Sequence, residues 1–178
     1  MQKNNLIRIL KEEDYLLFEK IYRCFEGKPF WEAWTDEMIV AVFEEFLTTG
    51  LVFCYDNKGI MDIQYNQKKS DTLPYDDWGN FIYLSDIAVL EEYRCQGIGT
   101  ILLDYLIDFG YINNFDTIYF RTNLEGSMVA NLGLQKGFEV VRDTSGEIIT
   151  EKVSFPRNRL DVPDTDIRQY LCKTLIKE

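Results

Sequence analysis

The strongest constraint on the fold is a turn that carries two glycines between a strand and a helix. Residues 81–89 are rich in β-branched and aromatic side chains, which predicts a strand, and residues 101–109 form an apolar run typical of a buried helix. The segment Arg-Cys-Gln-Gly-Ile-Gly-Thr at 94–100 lies between them. Such a turn directs several main-chain N–H groups to one point, and the helix dipole adds about half a positive charge there. We therefore predict a phosphate-binding turn, in which Gly97 and Gly99 let a pyrophosphate approach the main chain.

The spacing of the glycines distinguishes between the known phosphate-binding turns. No glycine of the chain stands in the G-x-x-x-x-G-K-[ST] frame of a P-loop, and Leu102 replaces the third glycine of a dinucleotide fingerprint. The pattern R-x-x-G-x-G instead resembles the coenzyme A pyrophosphate turn of the GNAT superfamily, the acyl-CoA-dependent N-acetyltransferases. Residues 86–106 resemble the central motif of that superfamily almost throughout, and Lys-Gly-Phe-Glu-Val-Val at 136–141 resembles its second motif.

The resemblance implies an α+β fold, with a splayed, mixed central sheet and helices on both faces. The chain is expected to form one N-acetyltransferase domain over residues 1–178. Its final segment, 164–178, has helical spacing but also resembles the closing strand of many superfamily members. The patterns predict strands at 5–10, 51–55, 60–65, 81–89, 117–122, 138–143 and 148–155, and helices at 12–25, 35–50, 101–110 and 127–136.

In that fold the splay beside the middle strand admits the pantetheine arm of acetyl-CoA, which pairs with the exposed strand edge. Acetyl-CoA is the one cosubstrate implied. Two of the residues assigned to cofactor binding, Asn123 and Asn131, could equally be local caps. The resemblance assigns cofactor binding to Ile87, Ala88, Val89, Arg94, Cys95, Gln96, Gly97, Ile98, Gly99, Thr100, Asn123 and Asn131.

The implied reaction is acyl transfer to a primary amine by direct attack, without a covalent enzyme intermediate. The chain has no histidine, which excludes Ser-His-Asp and Cys-His nucleophile systems and removes the commonest zinc ligand, so no metal is expected. Tyr83 and Ser85 share the strand face that superfamily members often direct at the acceptor, and are the predicted catalytic pair. They would hold a water that takes the amine proton. Equally, Tyr83 could fill core space and Ser85 could satisfy a local polar group.

The second motif departs from the family pattern at Gly133. Many members have a tyrosine at this position, four residues before the glycine of Gly-Phe, where it serves as acid to the departing thiolate. A thiol with a pKa near 8.5 is a tolerable leaving group without that acid. The departure leaves open an alternative function, a catalytically weak module that binds and senses acyl-CoA.

Two loops are predicted to bind the acceptor, because aromatic faces beside carboxylates suit an ammonium group. The net charge of −11 would attract a cationic amine and makes nucleic acid an unfavourable partner. The acceptor would be the amine of a small molecule, such as an antibiotic, or of a protein. The alternative is that core aromatics anchor both loops and that their acids are merely solvated. The candidate acceptor-binding residues are Trp31, Glu32, Trp34, Asp76 and Asp77.

The cysteines and the apolar runs indicate the cellular compartment of the protein. Four scattered cysteines without a C-x-x-C pair suit a reducing compartment. No apolar run is long enough to span a membrane, and the polar start does not resemble a signal peptide. We therefore expect a cytoplasmic protein without a membrane partner. By family analogy alone, a homodimer would be unsurprising.

Overall fold

The computed structural model describes residues 6–24, 35–49, 51–124, 127–154 and 165–175. Within them the chain forms eight strands and four α-helices. In chain order these are β1 (Ile7–Ile9), α1 (Tyr15–Arg23), α2 (Asp36–Thr49), β2 (Val52–Tyr55), β3 (Gly59–Tyr65), β4 (Phe81–Val89), α3 (Ile98–Ile112), β5 (Thr117–Asn123), α4 (Met128–Gln135), β6 (Glu139–Val140), β7 (Thr150–Ser154) and β8 (Thr165–Thr174).

The strands form a mixed sheet in the order β1-β2-β3-β4-β5-β8-β6, and β7 also pairs with β8. Strands β4 and β5 run parallel, whereas β5 and β8 run antiparallel. Helices and strands alternate in the middle of the chain, and the last three described elements are strands. The predicted α+β class with a mixed sheet is confirmed.

The described residues divide into two compact units. The first unit contains those up to Ile63 together with Asp86–Leu102, and the second contains Gln64–Ser85, the residues between Leu103 and Ser154, and those from Thr165 onward. Strands β3 and β4 and helix α3 therefore each contribute residues to both units. Each unit has its own group of buried apolar side chains.

The core of the first unit forms where α1 and α2 bury their apolar faces. The ring of Phe18 lies 4.4 Å from that of Tyr22 and 5.2 Å from that of Phe43. The main-chain N–H of Met38 donates to Thr35 Oγ1 at 3.3 Å, so the predicted start of α2 is confirmed. These helical side chains share one buried cluster with residues of β2, β3 and β4, namely Val52, Cys54, Ile60 and Ala88.

A charged group is also buried in the first unit. Asp14 is only 4% exposed, and its two carboxylate oxygens each accept a hydrogen bond of 2.6 Å from the Arg8 guanidinium. The main-chain N–H of Lys11 donates to it as well, at 2.8 Å. The hydrogen bonds from Arg8 hold the pKa of Asp14 below its ordinary value. This ion pair therefore ties β1 to the segment that begins α1.

The core of the second unit is aromatic. The buried rings of Tyr75 and Trp78 come from the loop at 67–79 between β3 and β4. They pack on Tyr119 of β5, with ring centroids 5.8 Å and 4.8 Å away. The Tyr119 hydroxyl also donates to the main-chain carbonyl of Gln67. The loop is thus anchored to the sheet by its aromatic residues.

The final described segment is the closing strand β8 and not a helix. It pairs with β5 from Thr117↔Thr174 to Asn123↔Arg168 and also accepts β6 and β7. Successive residues Tyr170 and Leu171 are both fully buried, because the aromatic cluster covers one face of the strand and α4 packs on the other. Apolar residues on both faces imitate helical spacing, which explains the ambiguity of the sequence here.

The strand predicted at 138–143 is shorter in the structure. Only Glu139–Val140 pair with β8, and Arg142 forms an isolated bridge with Ile148. Asp143 Oδ1 accepts from the N–H groups of Ser145 and Glu147, so its side chain stabilises a turn that ends the pairing.

The buried ion pair gives a prediction about stability. We expect Asp14→Asn to lower the free energy of unfolding by about 2–3 kcal/mol near neutral pH, because it removes a charge-assisted pair. The pKa of Asp14 is lower in the folded than in the unfolded chain, so its contribution is complete above about pH 4 and is lost as the pH falls further. Urea unfolding of both proteins across this pH range should show their difference shrinking in acid.

Glu13→Gln is the matched control. The Glu13 side chain is 70% exposed and lies 3.7 Å from Lys11, so its removal should change stability by less than about 0.5 kcal/mol. A difference between Asp14→Asn and the wild type that does not vary with pH would contradict the assigned charge.

Candidate functional site

The turn predicted to bind phosphate connects β4 to α3 and lies in the first unit. Cys95 and Gly97 have φ angles of 59° and 81°, the left-handed conformation that reverses the chain before the helix. Arg94 Nε donates to the carbonyl of Val89 at 3.1 Å, which fixes the turn to the end of β4. Arg94 therefore contributes to the shape of the turn itself.

The main-chain N–H groups of residues 95–100 are not used to hold the turn together. The hydrogen bonds at the turn run from the Arg94 N–H to the Glu91 carbonyl, from Gln96 Nε2 to the Glu92 carbonyl and from the Ile101 N–H to the Gly97 carbonyl. Across the described part of the chain, the N–H groups of residues 95–100 donate to no protein acceptor. The first N–H groups of a helix have no partner inside the helix, and they bind anions readily.

The space beside this turn is open. A Cβ atom built on Gly97 would meet no atom within 4 Å. Cys95, Gln96 and Gly97 are exposed, whereas Ile98 is buried under the helix. An anion could therefore approach the main chain at Gly97 without displacing a side chain.

The remaining cofactor-binding candidates have varied surroundings. In the first unit, Ile87 and Val89 are half-buried and Ala88 is buried in the core, so only its main chain could contact a ligand. In the second unit, Asn123 ends β5, and its carbonyl accepts from Gln169 Nε2 at 3.1 Å. Asn131 is exposed on α4, whose N-cap is Ser127.

The parallel pairing of β4 with β5 is short. It runs from Phe81↔Thr117 to Leu84↔Phe120, although both strands continue. Within the described residues, the paired partners of Arg121 to Asn123 all lie in β8. Ser85 is thus the first residue of β4 after the last of these pairs, and it is half-buried.

Tyr83 lies in the aromatic core of the second unit. It is 4% exposed, its ring centroid is 4.9 Å from that of Tyr119, and the Lys69 ammonium lies 4.8 Å from the ring centroid. This packing supports the structural alternative stated for Tyr83. Its catalytic assignment, like that of Ser85, stays a prediction.

Sequence reasoning missed a polar cluster on the face that carries Tyr119. Arg121 NH1 donates to Glu151 Oε2 at 3.1 Å, and the Tyr170 hydroxyl donates to the same oxygen. Burial raises the pKa of Tyr170. Desolvation lowers the pKa of Arg121, but the groups of Tyr83 and Glu151 raise it by more, so the guanidinium remains charged. The one signal in the sequence is an arginine directly after the apolar run at 118–120, two residues after Tyr119.

The predicted acceptor loops are described only in part. Trp31, Glu32 and Trp34 lie outside the described residues. Asp76 and Asp77 are exposed on a 3-10 turn, and Asp76 also lines a surface groove with Asn66, Lys68 and Asn80. The flanking Tyr75 and Trp78 are buried, so their rings anchor the loop as the structural alternative anticipated.

Gly133 is explained by packing. A Cβ atom at this position would lie 2.6 Å from Cζ of Phe120 and 3.4 Å from Cδ2 of Leu171. Both residues are buried, and the Phe120 ring is also packed at 5.2 Å against Phe138. Helix α4 can approach β5 this closely only because residue 133 has no side chain, so the tyrosine of the family pattern would not fit here.

The described residues contain no group of three or more cysteine, aspartate and glutamate side chains arranged to hold a metal ion. Among them, no helix combines the length and the apolar character needed to cross a membrane.

The model of the acetyltransferase (GNAT) family matches residues 14–127, which include the turn and both flanking elements. The chain belongs to this family. The match confirms the family and the acyltransferase class predicted from the sequence. The structural matches described next confirm the predicted fold.

Individual relatives are more distant. The chain is 25% identical to streptothricin acetyltransferase A of Bacillus subtilis over 122 residues, which cover 62% of this chain and 65% of that protein, less than two thirds of its length. An N-acetyltransferase from Staphylococcus aureus Mu50 has a TM-score of 0.69 at 17% identity, over 96% of this chain and 98% of its own. A ribosomal-protein-alanine N-acetyltransferase from Brucella melitensis has a TM-score of 0.67 at 19% identity, over 96% and 99%.

The packing around Gly133 predicts the sign of a substitution. Alanine in a helix interior is normally more stable than glycine by about 1 kcal/mol. We expect Gly133→Ala instead to destabilise the protein by about 1–3 kcal/mol, because the added methyl group overpacks Phe120 and Leu171. Urea unfolding measures the change. Gln135→Ala is the control, at an exposed position of the same helix. Its free energy of unfolding should stay within about 0.5 kcal/mol of the wild-type value.

A Gly133→Ala protein that is more stable than the wild type would contradict the packing account. It would then leave the missing tyrosine without a structural explanation.

Proposed function

We propose that this chain is an acetyl-CoA-dependent N-acetyltransferase that acts on a primary amine. Residues 1–178 would form one N-acetyltransferase domain. Acetyl-CoA supplies the acetyl thioester, and the amine attacks it directly while both are bound. The observation that carries the proposal is the set of unused N–H groups at residues 95–100, in a chain of the GNAT family.

The turn supplies the main binding contribution. Its N–H groups can donate to pyrophosphate oxygens, and the start of α3 adds the positive end of the helix dipole. Arg94 holds the turn against β4 through the Val89 carbonyl. We assign phosphate binding to the main chain of residues 94–100, and pantetheine binding to the main chain of Ile87 to Val89 with Asn123 and Asn131.

The chemistry depends mainly on positioning. Holding the two reactants in line can supply about 7–11 kcal/mol, whereas acid–base assistance contributes about 10²- to 10⁴-fold. Tyr83 and Ser85 are the proposed catalytic pair and would hold the water that accepts the amine proton. No side chain at residue 133 can protonate the leaving group, but a thiolate leaves tolerably without one.

The acceptor is a primary amine on a small molecule or on a protein. The names of two relatives support both classes, since one is a streptothricin acetyltransferase and the other a ribosomal-protein-alanine N-acetyltransferase. The exposed Asp76 and Asp77 remain proposed contacts for the acceptor, as do Trp31, Glu32 and Trp34. We place the reaction in the cytoplasm, because all four cysteines are free thiols.

The proposed function is tested by thiol release. Purified protein is mixed with acetyl-CoA and a panel of small amines and peptides, and free CoA is followed with a thiol reagent. Release that depends on both the amine and the protein supports the proposal. Tight acetyl-CoA binding with no release for any amine would favour the acyl-CoA-sensing alternative, and the absence of binding would refute both.

Gly97→Ala tests where the cofactor binds. We expect it to weaken acetyl-CoA binding at least about 10-fold by calorimetry, because the added Cβ occupies the open space beside the N–H groups. Because residue 97 has a left-handed φ, Gly97→Ala should also lower the free energy of unfolding by about 1 kcal/mol. Gly146→Ala is a close control, since Gly146 has a φ of 89° and equally open space in the turn between β6 and β7.

Both variants should therefore lose similar stability, and only Gly97→Ala should lose affinity. Equal acetyl-CoA affinity in the two proteins would remove the turn from the proposed site.

Tyr83→Phe tests the proposed catalytic pair. We expect kcat to fall about 10- to 100-fold while the affinity for acetyl-CoA stays unchanged, because only the hydroxyl that orders the water is lost. Steady-state kinetics and calorimetry measure the two quantities. Tyr111→Phe, an exposed tyrosine of α3, is the control. Unchanged kcat in Tyr83→Phe would leave Tyr83 with its packing role alone.

A further inference from the structure

We propose that Arg121 selects acceptors that carry a carboxylate in addition to the reacting amine. The inference rests on the proposed acetyl transfer and names the substrate class of that reaction. It is carried by the position of Arg121, by the contacts that hold its guanidinium, and by the exposure of its side chain. All of the residues involved lie in the second unit.

The strand register places Arg121 on the face of the proposed catalytic pair. Tyr83 stands opposite Tyr119, and alternation puts Arg121 on the same face as Tyr119. On β4 the same alternation puts Ser85 on the face of Tyr83. Arg121 and Ser85 are therefore corresponding residues, each one position beyond the last pair, Leu84↔Phe120. A charged donor thus occurs at the point where the paired strands end.

The guanidinium is held in one orientation. Glu151 of β7 accepts from Arg121 NH1, and the buried Tyr170 of β8 donates its hydroxyl to the same carboxylate oxygen. The side chains of Arg121 and Glu151 are 29% and 30% exposed, so a ligand can reach them although they are largely enclosed. An arginine fixed in this way has already lost most of its rotamer freedom, and its remaining N–H donors form a preorganised fork.

Charged side chains of both signs surround the aromatic rings of this unit. The ammonium groups of Lys68 and Lys69 lie 5.2 Å and 4.8 Å from the ring centroids of Tyr75 and Tyr83. Arg121 lies on the same strand face as Tyr119, and its guanidinium contacts the Glu151 carboxylate. The exposed acids Asp76 and Asp77 belong to the neighbouring turn.

Carboxylate is the group that such a site recognises best. Its two oxygens match the planar donor fork of arginine, and the resulting charge-assisted bonds are about twice as strong as neutral ones. An acceptor that lacks the carboxylate would leave partly buried donors without a partner. The acceptor class is therefore an amine that also bears a carboxylate, such as an amino acid.

The test compares matched amines that differ only in the carboxylate. 4-Aminobutanoate is paired with butylamine, and L-phenylalanine with phenethylamine, and kcat/KM is measured for each. The wild type should prefer the carboxylate member of at least one pair by about 10-fold or more. Arg121→Gln should lower kcat/KM for that member by about 100-fold and for its partner by less than about 3-fold.

Two further variants control this comparison. Arg121→Lys keeps the positive charge but loses the planar donor fork of the guanidinium. It should therefore retain part of the preference for the carboxylate-bearing amine. Arg142→Gln removes an exposed arginine that donates to the Gly146 carbonyl, and it should behave as the wild type. A wild type without preference in either pair, or an Arg121→Gln protein that loses both members equally, would overturn the proposal.

Failure of the enzyme and failure of this inference give different results. If no amine is acetylated, the proposed function fails, and binding of the two amino acids is measured by calorimetry in the presence of CoA. Binding by the wild type that Arg121→Gln abolishes would still support the carboxylate site. Absent binding, or equal binding by both proteins, would exclude it.

Discussion

The candidate cofactor site depends on one property of the turn between β4 and α3, namely that its shape is maintained without the N–H groups of residues 95–100. Arg94 holds the turn from the side through the Val89 carbonyl, and the left-handed residues Cys95 and Gly97 reverse the chain. A turn closed by its own N–H groups would have the same path but no donors to offer. Residues with positive φ are conformationally unfavourable, and in this turn they leave main-chain N–H donors available for a ligand.

The second unit shows how an aromatic core can position charge. The Tyr75 hydroxyl accepts from the N–H groups of Lys69 and Ser70, and the Tyr119 hydroxyl donates to Gln67. These bonds fix the main chain of the loop, which brings the ammonium groups of Lys68 and Lys69 over the rings. The hydrogen bonds of these buried phenols therefore also position the charged groups of the exposed face.

The sequence predicts those features that neighbouring residues determine. The strand at 81–89, the start of α2 at Thr35 and the N-cap at Ser127 all depend on a few adjacent side chains, and all are confirmed. The same holds for the GNAT family, whose motif is continuous. The pair of Arg121 with Glu151 and the form of residues 165–174 depend on which strands become neighbours. That choice is made by the whole chain, so no local pattern could predict it.

Gly133 connects this limit to the chemistry. In the sequence, Gly133 stands where many family members have a tyrosine that acts as an acid. In the structure, the same glycine allows α4 to approach Phe120 and Leu171 closely. Residue 133 cannot both carry a side chain that protonates the thiolate and allow this close packing. Since a thiolate departs tolerably without an acid, losing that acid costs the reaction less than a loss of positioning would, and positioning depends on rigid packing. Within an acyltransferase of this family, close packing at Gly133 is therefore compatible with turnover.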